Sequence, residues 1–324
     1  MIRDAKLRSI TAITYSHSHA IPDIVWEKIP AGEFQMGSTD DDQDAYDHEK
    51  PSHHVKVNEF YISRYPITNA QYQCFIEAGG YDNESYWQHP KAALDWLKGQ
   101  AADLSFLSEE GRNIWQDWLT KDTQRHVPRF WEDRNWANPN HPVVGVCWYE
   151  ALAYCTWLNE CLQHTIVPDQ HRIDGNIRLP REEQWEYAAR GQKGLKYAWG
   201  TQPDAKKGNS IETKLARTST VGLFAPGIAF DDNIEIYDLS GNVWEWSQSL
   251  WGKSVDRPKF DYTQWDQQSL QRNDLESVEL RIIRGGSWDY DRRYTRCATR
   301  FRFHPDDRDD VVGFRVVFSL AADD

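Results

Sequence analysis

Apolar and polar positions along this chain follow two rhythms, with long irregular stretches between them. HHVKVNEFYI (His53 to Ile62) alternates with period two and predicts one half-buried strand. Its two adjacent histidines then point to opposite faces, a poor geometry for shared metal ligation. Val25 to Ser38 predicts a further strand and turn, followed by an acidic, solvated loop from Ser38 to Glu49. Three stretches follow the helical rhythm. Asn69 to Ala78 predicts a helix capped by Thr68 or Asn69 and stopped by Gly79 and Gly80. Trp148 to Leu162 predicts a second. The third has Pro180 in its first turn, Glu182 and Glu183 near the positive end of its dipole, and Arg190-Gly191 at its end. Trp185, Ala188 and Ala189 share its inner face. Residues 1 to 22 carry neither rhythm and are expected to be a poorly ordered lead-in.

Aromatic rings supply the core that the aliphatic residues do not. The 324 residues include 16 Trp, 15 Tyr and 12 Phe, so burial is ample despite a mean hydropathy of -0.77. Residues 23–320 read as one domain with two insertions. The first, 81–140, is Trp-rich; Ser108 to Leu119 within it predicts a short amphipathic helix with Ile114, Trp115 and Trp118 inward. It is either packed on the core or a partner-binding surface. The second, 248–278, is polar and charged and predicts a surface loop. A net charge of -13 argues against nucleic-acid or anionic-membrane partners. No apolar run is long enough for membrane insertion. Five Cys without a CxxC pair, and no secretory pattern at the start, predict reduced thiols in a cytoplasmic protein.

The last 45 residues, Leu280 to Asp324, differ in composition from the rest. They hold nine Arg and eight Asp but no Glu, Lys, Gln or Asn, types that are common elsewhere in the chain. A frame recurs through them: RGGSW (Arg284 to Trp288), RCATR (Arg296 to Arg300), Pro305, Arg308 and GFRVV (Gly313 to Val317). Between the frame residues lie Asp289, Tyr290, Asp291, Arg293, Tyr294, Phe301, Phe303, His304, Asp307, Asp309 and Asp310. Aromatics give contact area at low entropy cost, and Arg and Asp give strong directed hydrogen bonds. The pattern predicts a rigid scaffold, held by Arg284, Trp288, Arg300, Arg308 and Arg315, that presents these eleven side chains as one exposed ligand-binding surface. Tyr290, Phe301 and Phe303 are the expected affinity anchors. Trp288 is assigned to core packing, with ligand contact as the alternative.

The same frame resembles the C-terminus of the formylglycine-generating enzyme, or sulfatase-modifying factor, family. IPAGEFQMGS (Ile29 to Ser38), HPVVGVCWYEALAYCTWLN (His141 to Asn159), RLPREEQWEYAARG (Arg178 to Gly191), YAWG (Tyr197 to Gly200) and YDLSGNVWEW (Tyr237 to Trp246) resemble further family motifs in family order. The resemblance implies an α+β C-type lectin-like fold of the formylglycine-generating-enzyme type, with much irregular structure. Enzymes of the family hold copper with two cysteines just before the RxCAxR block. Trp288 to Thr295 contains no Cys, and Cys297 matches the Cys of the block itself. Copper(I) needs soft thiolates, so no copper and no catalysis are expected. The resemblance also implies a structural calcium site in YDLSGNVWEW, using the Asp238 and Glu245 side chains and the Gly241 and Val243 carbonyls. Calcium wants hard oxygen donors, and Gly241 lets the chain turn carbonyls inward.

Many relatives carry Asn where this chain has the Asp, Tyr, Phe and His of its last segment. Changing only the adenines of an Asn codon yields Asp, Tyr, His and Phe but never Lys, Glu, Gln, Trp or Met. The segment thus resembles the variable region, here about 284–318, of a diversity-generating retroelement variable protein. The expected function is noncatalytic binding of a protein or other macromolecular ligand. The alternatives are an interaction or sensor module of a signalling or defence system, and a divergent enzyme of the family.

Overall fold

The computed structural model describes residues 14–319 other than 17–18, 101–103, 106, 110, 114–115, 117–123, 164–175, 231–233 and 266–270. The expected lead-in is not without structure: β1 (Thr14–Ser16) and β2 (His19–Ile21) pair antiparallel, and Ile21 joins the core. Val25 to Ser38 holds two strands rather than one, β3 (Trp26–Ile29) and β4 (Gly32–Met36). Pro30, with no N–H to donate, lies at the break. The predicted strand at His53 likewise splits, at Asn58 and Glu59, into β5 (His53–Val57) and β6 (Phe60–Ser63). The four form one bent ribbon: β4 pairs with β5 at its tip, and β3 pairs with β6 at its base.

Helix α1 (Asn69–Glu77) starts where the sequence predicts. Thr68 Oγ1 accepts the Gln71 N–H and Gln71 Oε1 accepts the Thr68 N–H, a capping box worth about 1 kcal/mol. Then come α2 (Lys91–Leu97), α3 (Trp148–Gln163), β7 (Asn176–Arg178), α4 (Glu182–Arg190) and β8 (Trp244–Gly252). The C-terminal segment supplies β9 (Leu280–Arg284), β10 (Arg300–Phe303), β11 (Val312–Gly313) and β12 (Val317–Ser319). One four-stranded sheet runs β3-β6-β12-β7, so the last strand lies beside one of the first; the other runs β10-β9-β8-β11.

Aromatic packing fills the space between. Tyr72 of α1 stacks on Tyr154 of α3 at 5.4 Å, and Trp87 on Trp96 of α2 at 5.7 Å. Tyr81, Tyr86, Trp87 and Trp96 are all buried, so this first part of the 81–140 insertion belongs to the core. Half of its predicted helix, including Ile114, Trp115 and Trp118, falls outside the described residues. The expected surface loop 248–278 is a different case. Gln248 to Gly252 complete the buried strand β8, and Phe260, Tyr262, Trp265 and Arg272 are buried after it. Its polar composition hid this, because the buried Arg272 guanidinium lies over the Trp265 ring and against Glu182.

Five buried ion pairs fasten the C-terminal segment to the rest. Arg284 meets Glu186, Arg296 meets Glu49, Arg300 meets Glu182, Arg308 meets Glu150 and Arg315 meets Glu245. Every one of these ten side chains is 2% exposed or less. Four pairs are two-pronged, at 2.6 and 2.8 Å for Arg296, 2.9 and 3.1 Å for Arg300, 3.1 and 3.1 Å for Arg308, and 2.5 and 2.7 Å for Arg315. The glutamates come from the Ser38–Glu49 loop, α3, α4 and β8. On α4, Glu182 and Glu186 stand one turn apart, presenting one carboxylate to each of two segment arginines. Burial pushes Glu186 up, but the Arg284 and Arg190 guanidiniums outweigh it and hold the carboxyl below its ordinary value.

Removing one partner of a buried pair strands the other and typically costs about 3–5 kcal/mol. Arg300→Ala is therefore expected to lower unfolding stability by about that amount. Glu182→Ala should cost more, because Glu182 also faces Arg272 and two guanidiniums would be left without a carboxylate. Denaturant unfolding of both variants checks this; a smaller loss for Glu182→Ala would show that Arg272 does not depend on it.

Candidate ligand-binding surface

The loop between β9 and β10 begins with two glycines at positive φ, +100° at Gly285 and +74° at Gly286. A Cβ on Gly286 would stand 2.8 Å from the Tyr294 carbonyl, so the tight return requires glycine. The loop is then held through its backbone. The Arg284 guanidinium donates to the Cys297, Ala298 and Thr299 carbonyls. Arg296 Nε and Thr299 Oγ1 both donate to the Arg293 carbonyl, at 2.8 and 3.0 Å. The Ile211 N–H donates to the Tyr290 carbonyl, and the Arg292 N–H to Glu212. Frame side chains thus hold the main chain at Arg293 and from Cys297 to Thr299, while Ile211 and Glu212 hold it at Tyr290 and Arg292.

Those side chains form a half-buried aromatic patch. Phe301 stacks on Trp244 of β8 at 5.5 Å, and Tyr290 meets Trp244 edge-on at 5.4 Å. Tyr290 and Tyr294 are 5.0 Å apart, and Phe301 and Phe303 6.0 Å. Phe301 and Phe303 reach this face because they alternate with the buried Arg300 and with Arg302 along β10. Asp289 and Arg293 are exposed, and Asp291 pairs with Arg293 at 3.1 Å. Asp309 and Asp310 are half-exposed. Burial, with Asp309 and then Asp289 as like charges, pushes the Asp310 carboxyl up to about 7.

Two of the eleven expected surface residues are not there. His304 and Asp307 are buried, and the Asp307 carboxylate accepts the His304 N–H at 3.0 Å inside the turn after β10. Their place in the alternating pattern gave no sign of this, because the turn reverses before the next half-exposed residue, Asp309. Trp288, assigned to the frame, has both roles: its indole N–H donates to the Asp310 carbonyl, while its half-buried ring lies against Trp136 at 5.5 Å. Other contributors come from distant parts of the chain and carried no local signal. Tyr46 lies 5.7 Å from Tyr294 and stacks on His48, which meets Trp251 at 5.0 Å. Burial pushes the His48 imidazole down to about 4. A cleft of about 560 Å³ lies apart from the patch, lined by Asp41, Asp42, Asp44, Lys196 and Arg190, where Lys196 already bridges Asp42 and Asp44 at 2.8 Å.

The four expected calcium ligands sit at the entry to β8. Gly241 has φ +102° against the Asn209 backbone, leaving no room for a side chain. The Asp238 carboxyl accepts the Gly222 N–H at 2.8 Å, and burial pushes it up to about 6. The Gly241 carbonyl accepts the Val243 N–H at 3.1 Å. Asp238 and the two carbonyls offer hard oxygens of the right kind. Glu245 is less free, since Arg315 takes both of its oxygens and the Trp185 indole N–H donates to one. Among the described residues no group of three or more His, Cys, Asp or Glu is placed to hold a metal. All five cysteines are free, and burial pushes the Cys297 thiol up to about 12.

Asp306, in the same buried turn, has its carboxyl pushed up to about 7 by burial, with only Arg125 opposing. The folded chain keeps a proton there that the unfolded chain releases near pH 4, so stability falls as pH rises from about 4 through about 7. Asp306→Asn should accordingly raise the melting temperature at pH 8 and do so less at pH 5. A larger gain at pH 5 would contradict this environment.

Comparison with known proteins agrees with this architecture. Residues 12–320 match the sulfatase-modifying factor enzyme 1-like domain family. The formylglycine-generating enzyme of Bos taurus is 30% identical over 303 residues, which cover 89% of this chain and 72% of that protein. The inactive C-alpha-formylglycine-generating enzyme 2 of Bos taurus is also 30% identical, over 319 residues, covering 89% of this chain and 86% of that one. Among solved structures, Treponema denticola variable protein 1 superposes with a TM-score of 0.56 at 19% identity, covering 94% of this chain and 98% of that one. That likeness establishes a shared fold.

Proposed function

The chain belongs to the sulfatase-modifying factor enzyme 1-like domain family, and we propose that it serves there as a noncatalytic ligand-binding protein with a replaceable C-terminal recognition surface. One observation carries this reading: the β9–β10 loop is held chiefly by buried arginines and backbone hydrogen bonds, with the displayed Asp291 carboxylate adding one bond from the Arg293 N–H. Asp289, Tyr290, Asp291, Arg293, Tyr294, Phe301, Phe303, Asp309 and Asp310 are then free to meet a protein or other macromolecular ligand. Half-buried rings in a patch give such a surface its affinity. Copper oxidation does not fit these residues. The stretch before Arg296 has no Cys, and Cys297 is a fully buried thiol packed in the core. Free cysteines also suit a reducing, cytoplasmic setting.

The residue types at these positions support variation by a diversity-generating retroelement. Two measurements test this. The gene should lie beside a reverse transcriptase and an adenine-richer near-copy of the segment encoding 284–318; if neither is there, the retroelement origin fails, while ligand binding does not depend on it. At the protein level, Tyr290→Ser, Tyr294→Ser, Phe301→Ser and Phe303→Ser should each unfold cooperatively and lose less than about 2 kcal/mol, below the usual range for fully buried aromatics. Losses as large as that of Arg300→Ala would show the rings to be structural.

Calcium is proposed as a structural ion held by Asp238 with the Gly241 and Val243 carbonyls, with Glu245 shared between the ion and Arg315. A cation beside Asp238 would relieve a carboxylate that burial otherwise disfavours. Excess calcium should then raise the melting temperature relative to EDTA, and Asp238→Ala should abolish the difference. Superimposable curves for the unsubstituted chain would remove calcium from the account.

A further inference from the structure

The Trp-rich insertion meets the variable surface at Trp136, and that contact has a distinct chemistry. Trp136, near the end of the insertion, lies against Trp288 with ring centres 5.5 Å apart and planes 37° from each other. Both rings are half-buried, as is Tyr290 two residues further on. Asp289, Asp309 and Asp310 border the same place: Asp289 and Asp309 both act on Tyr290 as like charges to its phenolate, and both act on Asp310. The Trp288 indole N–H is tied to the Asp310 main-chain carbonyl, which fixes the ring against the Asp309–Asp310 stretch of chain. Among the described residues none of the three carboxylates forms a salt bridge, whereas each of the five buried frame arginines has a glutamate. Beyond Tyr290 stands Ile211, 52% exposed and joined to the Tyr290 backbone, an apolar shoulder to the same surface. Of the positive side chains nearby, Arg129 acts on Asp310 as an opposite charge, Arg302 acts on Tyr290, and Arg293 pairs with Asp291.

Resting on the ligand-binding reading above, we infer that this end of the surface receives a cationic partner: a lysine- or arginine-bearing segment of another protein, seated on Trp136, Trp288 and Tyr290 and held by Asp289, Asp309 and Asp310. Ring faces carry negative quadrupole potential and attract ammonium and guanidinium groups. Carboxylates around the rings supply the directed hydrogen bonds, most strongly to a guanidinium fork. The overall charge of -13 steers a basic partner toward the molecule, and the notch gives it a place to stop. Trp136 lies outside the variable segment, so it forms a fixed wall against which the variable positions work.

The test uses the full chain and three labelled peptides, alternating alanine with arginine, with glutamate or with serine, followed by fluorescence anisotropy. The arginine peptide should bind best. Asp289→Asn, Asp309→Asn and Asp310→Asn combined should weaken it roughly tenfold or more, a change of about 1.4 kcal/mol or above. Trp136→Ala should weaken it as well. A control with the same charge change on β4, the β5–β6 turn and α1 (Glu33→Gln, Glu59→Gln and Glu77→Gln) should keep the affinity within about twofold, because remote surface charges are screened. Equal weakening in both triple variants would reduce the effect to overall charge and overturn the inference. Tighter binding of the glutamate or serine peptide, abolished by Tyr290→Ser, would also overturn it while leaving the ligand-binding reading in place. If no peptide binds, the cationic notch is likewise refuted.

Discussion

Guanidinium–carboxylate pairing beneath the C-terminal segment is the constraint on which the rest of this molecule depends. Five arginines enter the interior from one short stretch of chain, and a glutamate from elsewhere in the fold meets each of them. Such pairs are weak evidence of net stability, because desolvating two charges offsets most of their attraction. Their effect is on geometry. A wrong register would leave five charges buried without partners, so only one placement of the segment is tolerable. Apolar contacts could not impose this alone, since cores accept many repackings of similar volume.

That division of labour separates what holds the segment from what the segment shows. Arg284, Arg296 and Thr299 donate to main-chain carbonyls, atoms that every residue type possesses. A change of side chain at Tyr290 or Arg293 leaves these bonds in place. The aromatic patch is less independent, because Phe301 and Tyr290 rest on Trp244. Trp244 is a fixed floor at the start of β8, and a ring or a smaller side chain above it changes the depth of the surface more than its position.

Much of this was legible in the sequence. The α1 cap, the span of α3 and the Gly191 stop of α4 follow from local rules, and the frame arginines stand out by composition. What the sequence did not show was pairing at a distance. Glu182 read only as a favourable first-turn charge and Glu186 drew no reading, yet both are buried against Arg300 and Arg284. Glu245 is assigned to calcium through the family resemblance, and no local pattern shows its pairing with Arg315, 70 residues away. His304 and Asp307 read as surface because they sit between surface residues, and only the turn after β10 puts them inside. The 248–278 stretch read as a loop because Ser, Gln and Arg can be buried once their hydrogen bonds are met, a condition no local pattern reveals.

The contact between Trp136 and Trp288 joins these lines of reasoning. The insertion packs in the core at Tyr81, Trp87 and Trp96 and, near its end, brings the Trp136 ring to the edge of the displayed surface. A surface whose side chains change has difficulty keeping any affinity in common, because each new set must build its own anchor. A wall contributed from outside the changing segment removes part of that difficulty. Trp136 offers area at low entropic cost whichever residues stand opposite it, and Trp288, held by the frame, keeps it in contact. On the proposed reading, the displayed side chains, the acidic border included, then need only select among partners that the fixed rings already favour.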